Sequence, residues 1–443
     1  MSHGGGAPET GTVAALNHDG DGVLREGKTA FVPGALPGET VSFRRRKSHR
    51  NHDEAELLAV LQPAPDRVVP PCAHFGVCGG CALQHLAPAA QLRLKEQQLR
   101  EDLARIGKVM PEAWLPPVTG PGLGYRRRAR LGARFVFRRE RSLVGFRERR
   151  GRYVADIERC PVLAPPAGDL VMPLAGLLTS LSIREQLPQI EVAVADNVTA
   201  LVLRVLAPPT ADDLGKLGAF ERVHGVQFYL QPGGLETIAP LRSDAQPLHY
   251  ALPEFDLRLE FEPSDFIQVN GAVNRALVGR VVELLELTPA ARVLDLYCGL
   301  GNFSLPLARH AAEVVGVEGD PGLVARAAAN AARNGLGNAR FHVANLAESP
   351  PPAGVTGQSP AWLLGGYSHV LLDPPRVGAR EVLDAVAALR PRRLAYVACH
   401  TGSLSRDLGA LVHQHGYRLL AAGVADMFPH TAHVESLAVL ASS

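Results

Sequence analysis

The sequence predicts an α/β protein: a doubly wound parallel sheet in the C-terminal part, preceded by a small β-barrel and a mixed α+β segment. Three observations carry this. Residues 256–443 alternate buried-strand patterns with helical stretches, the strands falling at Val293–Leu296, Val314–Glu318, Ala339–Ala344, His369–Asp373 and Leu394–Ala398. Alternation of this kind builds a parallel sheet covered on both faces. Residues 1–62 hold short β-rich runs, Thr29–Pro33 and Glu39–Phe43, between turns such as Asp19-Gly20-Asp21-Gly22 and Pro33-Gly34, the pattern of a small barrel. Residues 63–255 combine a group of cysteines, an amphipathic helix over Gln91–Ile106, and a region from Tyr125 onward in which short strands and turns dominate. The Pro- and Gly-rich stretch Pro350–Gly366 reads as a mobile surface loop.

Composition sets the class. With 443 residues, 46% apolar and 20% charged, the chain is long enough for two to four folded domains and too apolar for wholesale disorder. It contains no uncharged apolar run of about 18 residues, the length needed for a membrane helix. The N-terminal MSHGGGAPETGTV lacks the basic and apolar regions of a secretory signal. Six cysteines at uneven spacing are too few for a disulfide scaffold, so a cytoplasmic protein with metal-binding or reactive thiols is expected.

The net charge of +2 conceals an asymmetry. Residues 256–443 hold 15 Lys and Arg against 17 Asp and Glu, which leaves 31 against 27 for residues 1–255. Twelve arginines and two acids lie between Tyr125 and Tyr153, and Arg44-Arg45-Arg46-Lys47 follows a barrel strand. Both runs are expected to meet phosphate.

Two motifs mark a ligand crevice at the carboxyl ends of the C-terminal strands. Asp295-Leu-Tyr-Cys-Gly299-Leu-Gly301-Asn302 joins a strand to a helix, with Ser304 where a dinucleotide-binding loop has its third glycine. Glu318 closes the next strand, 23 residues after Asp295, where a carboxylate accepts hydrogen bonds from ribose hydroxyls. Glycine loop, ribose acid and incomplete pyrophosphate motif favour a nucleoside-like cofactor without phosphates, a description that S-adenosylmethionine fits. Asp373-Pro374-Pro375-Arg376 ends another strand. Amino-group methyltransferases often place Asn/Asp-Pro-Pro and an aromatic there; Arg376 replaces the aromatic, which disfavours amine methylation and leaves Asp373 to hold the N3–H edge of a uracil.

Cys399 ends the following strand, beside His400 and just before a helix expected near Ser403, a setting that favours thiolate. Cys298 is the competing thiol, in the glycine loop. Glu435 stands in Asp426-Met-Phe-Pro-His430-Thr-Ala-His433-Val-Glu435, before a final strand Ser436–Ala441, and is a candidate general base. Together these groups suit one reaction. C5 of uracil is a poor nucleophile until a thiolate adds at C6; methyl transfer then requires a base to remove the C5 proton.

These residues resemble the RNA uracil-C5 methyltransferases, above all the 23S rRNA branch with a TRAM barrel and an iron–sulfur cluster. The resemblance covers nearly the whole chain and is most specific at Phe266-Ile-Gln268-Val-Asn270, Asp295–Asn302, Asp373–Arg376 and Asp426–Glu435. It implies a Rossmann-like methyltransferase domain at 256–443, a central RNA-binding domain at 63–255 and a TRAM-like barrel at 1–62. It further implies cofactor contacts at Gln268, Tyr297, Asn302, Glu318, Asn345 and Asp373, with Cys399 as nucleophile and Glu435 as proton acceptor. The chain departs from the family's usual Ser-Cys-Asn-Pro with Ala398-Cys399-His400-Thr401.

Cys72, Cys78, Cys81 and the distant Cys160 supply four thiols, whose spacing suits zinc or an iron–sulfur cluster and is not that of radical S-adenosylmethionine enzymes. The resemblance implies a [4Fe-4S] cluster on all four. The expected partner is structured RNA, 23S rRNA ahead of the tRNA T-loop, with no membrane and no obligate protein partner. The rival readings are an amine methyltransferase and an iron–sulfur RNA-binding protein without catalysis.

Overall fold

A computed structural model describes residues 7–348 and 360–442. The first segment contains β1 (Glu9–Thr12), β2 (Ala15–Leu16), β3 (Asp21–Leu24), β4 (Ala30–Pro33), β5 (Thr40–Ser48) and β6 (Asp53–Gln62), ordered β1-β5-β6-β4-β3-β2. Two residues separate β1 from β2: the Val13 amide donates to Glu39 O at 2.9 Å and the Ala14 amide to Val23 O at 2.8 Å. One continuous stretch therefore bridges both edges of the sheet and closes it around Leu24, Val32, Val41 and Phe43.

The basic run on β5 faces acids on its neighbours. Arg45 pairs with Glu9 at 3.0 Å and Asp53 at 2.8 Å, Arg46 with Glu56, and Lys47 with Glu54 at 3.9 Å. The expected phosphate-facing run is thus largely balanced across the strands. The exposed pairs of Arg46 and Lys47 are weak enough for a phosphate to displace, whereas Arg45 is tied to the buried Asp53.

The middle of the chain contributes α1 (Pro88–Asp102), prolonged by a π turn over Leu103–Gly107, and β7 (Ala113–Trp114). Next come β8 (Arg128–Val136), β9 (Arg141–Gly145), α2 (Val171–Ser180), β10 (Gln189–Val194), β11 (Thr199–Arg204), α3 (Ala211–His224), β12 (Val226–Gln231) and β13 (Ala239–Pro240). The strands form a sheet ordered β13-β12-β11-β10-β8-β9. Helices α2 and α3 are additions to the strands and turns expected here. The start of α3 is a capping box, with Thr210 Oγ1 accepting from the Asp213 amide at 3.2 Å and the Asp213 carboxylate accepting from the Thr210 amide at 2.9 Å.

A hairpin of β14 (Leu248–Leu252) and β15 (Leu257–Phe261) leads into α4 (Gly271–Leu285), β16 (Arg292–Leu296), α5 (Ser304–Ala308), β17 (Glu313–Glu318), α6 (Pro321–Arg333) and β18 (Ala339–Val343). Then come β19 (His369–Leu372), α7 (Arg380–Ala388), β20 (Arg393–Ala398), α8 (Thr401–His413), β21 (Tyr417–Ala425) and β22 (Glu435–Ser442). Of the stretch expected as a mobile loop, residues 350–359 lie outside the described residues. The remainder carries a short turn, Ala361–Leu363, that buries Trp362 and Leu363.

The C-terminal sheet is ordered β18-β17-β16-β19-β20-β22-β21-β7. It is parallel apart from β22, which runs antiparallel to both neighbours. Alternate residues pack on opposite faces, as the strand period requires. Val293, Leu371, Ala395 and Val397 share a core with Val273, Leu277 and Val281 of α4 and with the central sheet. Leu294, Val370, Leu394 and Tyr396 pack with α7 and α8, and with Leu99 and Leu103 from α1 and its π turn. The segment from α1 to β7 therefore lies on and extends the C-terminal sheet. Among the described residues, no helix is long and apolar enough to cross a membrane.

Glu39 anchors the barrel to the segment that begins at Pro63. Its carboxylate, wholly buried, accepts from the Leu36 amide at 2.8 Å and the Ala64 amide at 3.2 Å, and takes two bonds from Arg67 at 2.5 and 2.7 Å. Arg67→Ala strands that charge. It is expected to destabilise the protein by about 3 kcal/mol, because one partner of a buried pair is left alone. The measurement is the urea midpoint followed by a barrel-specific probe.

Candidate active site

The carboxyl ends of β16, β17, β19 and β20 open into one cleft of about 1580 Å³. Gln268, Tyr297, Asn302, Glu318, Asp373, Cys399 and Glu435 all line it. Asn345 does not: at the end of β18 it is exposed, donating to Glu348 at 2.7 Å and accepting from the Ala347 amide at 3.1 Å.

After β16 the backbone enters the left-handed region at Tyr297 (φ 65°), Gly299 (φ 54°) and Gly301 (φ 97°). This sharp reversal is what places glycines there. Glu318 holds the loop from the next strand, accepting from the Gly299 amide at 3.2 Å with one oxygen and from the Gly319 amide at 2.7 Å with the other. Asn302 closes the loop's far side. Its amide exchanges two hydrogen bonds with Asn274 of α4, at 2.8 and 2.9 Å, and accepts a third from Tyr250 at 3.0 Å. Sequence reasoning missed Tyr250 and Asn274, because neither sits in a motif; both read as ordinary hairpin and helix residues.

The antiparallel course of β22 brings the two proposed reacting groups together. Ala398 on β20 is the register partner of Ser436 on β22. The next position along β20 is Cys399 and the preceding one on β22 is Glu435, so thiol and carboxyl stand level at one end of the sheet. Phe428, His433, Arg376 and the exposed Phe266 complete the cleft wall, with Arg376 donating to His433 at 3.3 Å.

The cleft is crowded with acids. Burial, then the neighbouring carboxylate of Glu318, pushes Asp373 up to about 7. Burial, then Asp373, pushes Glu435 well above the usual carboxylate range. Asp295 beneath the loop is raised to about 8 by burial, against a 2.5 Å hydrogen bond from Ser304 that lowers it. Cys399 is pushed up to about 11 by burial and then by Glu435 and Asp373, with Arg376 acting in the opposite sense. Removal from water and two acids thus oppose the thiolate that the helix terminus is expected to favour. Cys298 is buried against Gly316 and raised well above the usual thiol range by burial, in keeping with a packing role.

The unusual His400-Thr401 pair has a local explanation. His400 is the N-cap of α8, its Nδ1 accepting from the Ser403 amide at 3.1 Å, as an asparagine oxygen would. Thr401 donates to Asp102 of α1 at 2.6 Å. Ser403 donates to Arg376 O at 2.9 Å, tying the helix start to the Asp373–Arg376 turn.

Away from the cleft, Cys72, Cys78, Cys81 and Cys160 line one open pocket of about 410 Å³, together with Phe75 and Phe146. Gly80 lines it too, its amide donating to Cys78 Sγ at 3.4 Å, while the preceding Gly79 packs so close to the chain that a Cβ there would meet Arg147 O at 2.9 Å. Burial raises Cys78 to about 11 and Cys81 to about 12. Among the described residues no three His, Cys, Asp or Glu side chains stand close enough to hold a single metal ion.

The arginine-rich stretch divides in two. Arg127 pairs with Asp196, Arg130 and Arg128 with Glu191, Arg139 and Arg141 with Asp156, and Arg149 and Arg150 with Asp21. These bind the fold together. Arg134, Arg138, Arg147 and Arg152 remain exposed beside the exposed Phe137 and Tyr153.

The sequence profile described as tRNA (Uracil-5-)-methyltransferase matches residues 250–443. The 23S rRNA (uracil(1939)-C(5))-methyltransferase RlmD of Alkalilimnicola ehrlichii is 51% identical over 429 residues, spanning 96% of this chain and 95% of its own. The enzyme of the same description from Nitrosococcus oceani is 50% identical over 435 residues, spanning 98% and 96%. In fold the chain is similar to Pyrococcus abyssi tRNA (uracil-54, C5)-methyltransferase, solved in complex with S-adenosyl-L-homocysteine. The TM-score is 0.74 at 23% identity, covering 98% of this chain and all of that one. With half its residues shared across nearly the full length of such relatives, the chain belongs to the RNA uracil-C5 methyltransferases, in the branch of the 23S rRNA enzymes.

Proposed function

We propose that the protein transfers the methyl group of S-adenosylmethionine to C5 of a uracil in 23S rRNA, through a transient bond between Cys399 and C6. The observation that carries this reading is the pairing of β20 with β22, which brings the Cys399 thiol and the Glu435 carboxyl to the same end of the sheet in one cleft. In this reading the positive charge of the bound cofactor favours ionised Cys399 and Glu435, whose protons pass to solvent; Cys399 then adds through Sγ to C6, and the C5=C6 electron pair moves into an enolate. C5 then attacks the methyl carbon, and the sulfonium leaves as neutral S-adenosylhomocysteine. Glu435 takes the C5 proton; C5=C6 re-forms as the C6–S bond breaks and thiolate departs.

Gln268, Tyr297 and Glu318 would hold the cofactor, Glu318 through its ribose, while Asn302 fixes the loop around it. Asn345, at the rim beside Glu318, would reach the cofactor only after leaving Glu348. Asp373 would face the N3–H edge of the uracil and lie near the methyl donor. The target base must leave its stack to enter the cleft. The barrel and the exposed Arg134, Arg138, Arg147 and Arg152 would track the flanking phosphates.

The four-cysteine pocket fits a [4Fe-4S] cluster on Cys72, Cys78, Cys81 and Cys160. The thiolates of a cluster each bind a different iron, so four thiols around one shared pocket, as here, suit it. The amide pointing at Cys78 Sγ is of the kind that stabilises a metal-bound thiolate. When bound, the cluster would supply a structural cross-link between segment 72–81 and Cys160; the separate barrel at residues 9–62 would be a TRAM domain, and the enzyme would work in the cytoplasm.

Three outcomes are expected. RNA carrying 5-fluorouracil, which has no C5 proton to lose, should form a covalent complex with the protein and cofactor. Cys399→Ala should abolish the complex and lower methylation by at least about 10³-fold. Methylation by Cys399→Ala at the normal rate, without any complex, would refute the covalent route. Second, a cationic cofactor favours ionised acids, so S-adenosylmethionine should bind more tightly as pH rises through 7, the region where Asp373 titrates, and release protons below it. Neutral S-adenosylhomocysteine should show a shallower dependence in the same calorimetric titration. Third, protein purified without oxygen should contain about four irons per chain, and Cys72→Ala should lose them; one zinc per chain would overturn the cluster assignment.

A further inference from the structure

The loop between β21 and β22, residues 426–434, carries His433 to the cleft wall and delivers the chain into Glu435. Part of its shape is internal, with Thr431 Oγ1 donating to Phe428 O at 2.9 Å and accepting from the His433 amide at 3.3 Å. His430 sits at φ 65°, a region that residues other than glycine seldom enter. The groups that hold the loop from outside come mainly from α1 and from the residues just after Cys81, joined by Tyr125.

Gln91, 2% exposed, is the hub. Its Oε1 accepts from the His430 amide at 2.8 Å, while its Nε2 donates to Leu83 O at 3.0 Å and Leu86 O at 2.8 Å and stands 3.2 Å from His430 Nδ1. Lys95, equally buried, donates to the Asp426 carboxylate at 2.7 Å and to Phe428 O at 2.9 Å. The Ala82 and Leu83 amides both donate to His430 O at 2.9 Å, and Tyr125 donates to Pro429 O at 3.0 Å. An apolar contact would hold helix and loop together as firmly; these directional bonds also dictate where each backbone group of the loop points.

We propose that Gln91 and Lys95 are positioning residues for the proton-removal half of the reaction. By clamping the loop they set Glu435 at the C5 proton of the covalent intermediate, and they tie that setting to the chain beside Cys81. The inference rests on the covalent route proposed above. The thiol is held by the end of β20 and the start of α8, which α1 reaches through Asp102 and Gln98 and not through Gln91 or Lys95, so the two halves of the reaction are separable.

The test uses the full chain, with Gln91→Met, Lys95→Met and, from the loop side, Asp426→Asn, which keeps an oxygen acceptor for Lys95. Trapping by 5-fluorouracil RNA should stay at the wild-type extent. Turnover on ordinary RNA should fall roughly 10- to 100-fold, the scale of a misplaced catalytic group. A methylated protein–RNA complex through Cys399 should accumulate, with Asp426→Asn showing the milder effect. Unchanged turnover in all three variants overturns the inference. So does loss of trapping in step with turnover and melting temperature, which a merely structural role would produce. If the wild-type protein itself forms no 5-fluorouracil complex, the covalent route falls and takes this inference with it.

Discussion

The direction of one strand governs this active site. In a purely parallel sheet every strand offers its carboxyl end to the same crevice, and each contributes the residue just beyond that end. β22 enters the sheet the other way, between β20 and β21, so it contributes its first residue instead. That reversal puts Glu435 beside Cys399 without a long loop having to reach over the cleft. It also explains why the loop before β22 must be held so closely: its last residue leads directly into a strand whose register is already fixed.

Electrostatics in the cleft stem from the same crowding. Asp373, Glu435 and Cys399 are partly removed from water and repel one another's ionised forms, so each is pushed to ionise at higher pH than in water. An acidic, desolvated pocket is a poor home for an anion and a good one for a sulfonium. Arg376, exposed at the rim, is the counter-charge nearest the thiol. The aromatic that amine methyltransferases carry at that position could not perform this service, and the replacement is consistent with a chemistry that needs a thiolate.

Much of this was legible in the chain. The five C-terminal strands lie where the alternation put them, and the motif residues converge on one cleft because strand ends in a doubly wound sheet have nowhere else to point. What escaped was the part built by distant polar contacts. Lys95 and Gln91 read as the solvated side of an amphipathic helix, yet both are buried, because their partners lie more than 300 residues away. The arginine cluster looked like a phosphate grip, but Asp21, Asp156, Asp196 and Glu191, scattered along the chain, claim over half of it. Periodicity reports burial of apolar surface; it is silent about a charge that finds a partner in another segment. His400 also looked like a disruption, until its ring nitrogen proved to cap α8 as an asparagine would.

The extension of the C-terminal sheet by α1 and β7 has a consequence for how the protein is born. Lys95 and Asp426 are separated by 331 positions in the chain. At roughly 5–20 residues per second, the ribosome needs about 15–65 s to deliver the second after the first. For that interval α1 has emerged with an unmatched ammonium and with Leu99 and Leu103 uncovered, and no local folding can bury them. Completion of the sheet is therefore a late, long-range event in biogenesis.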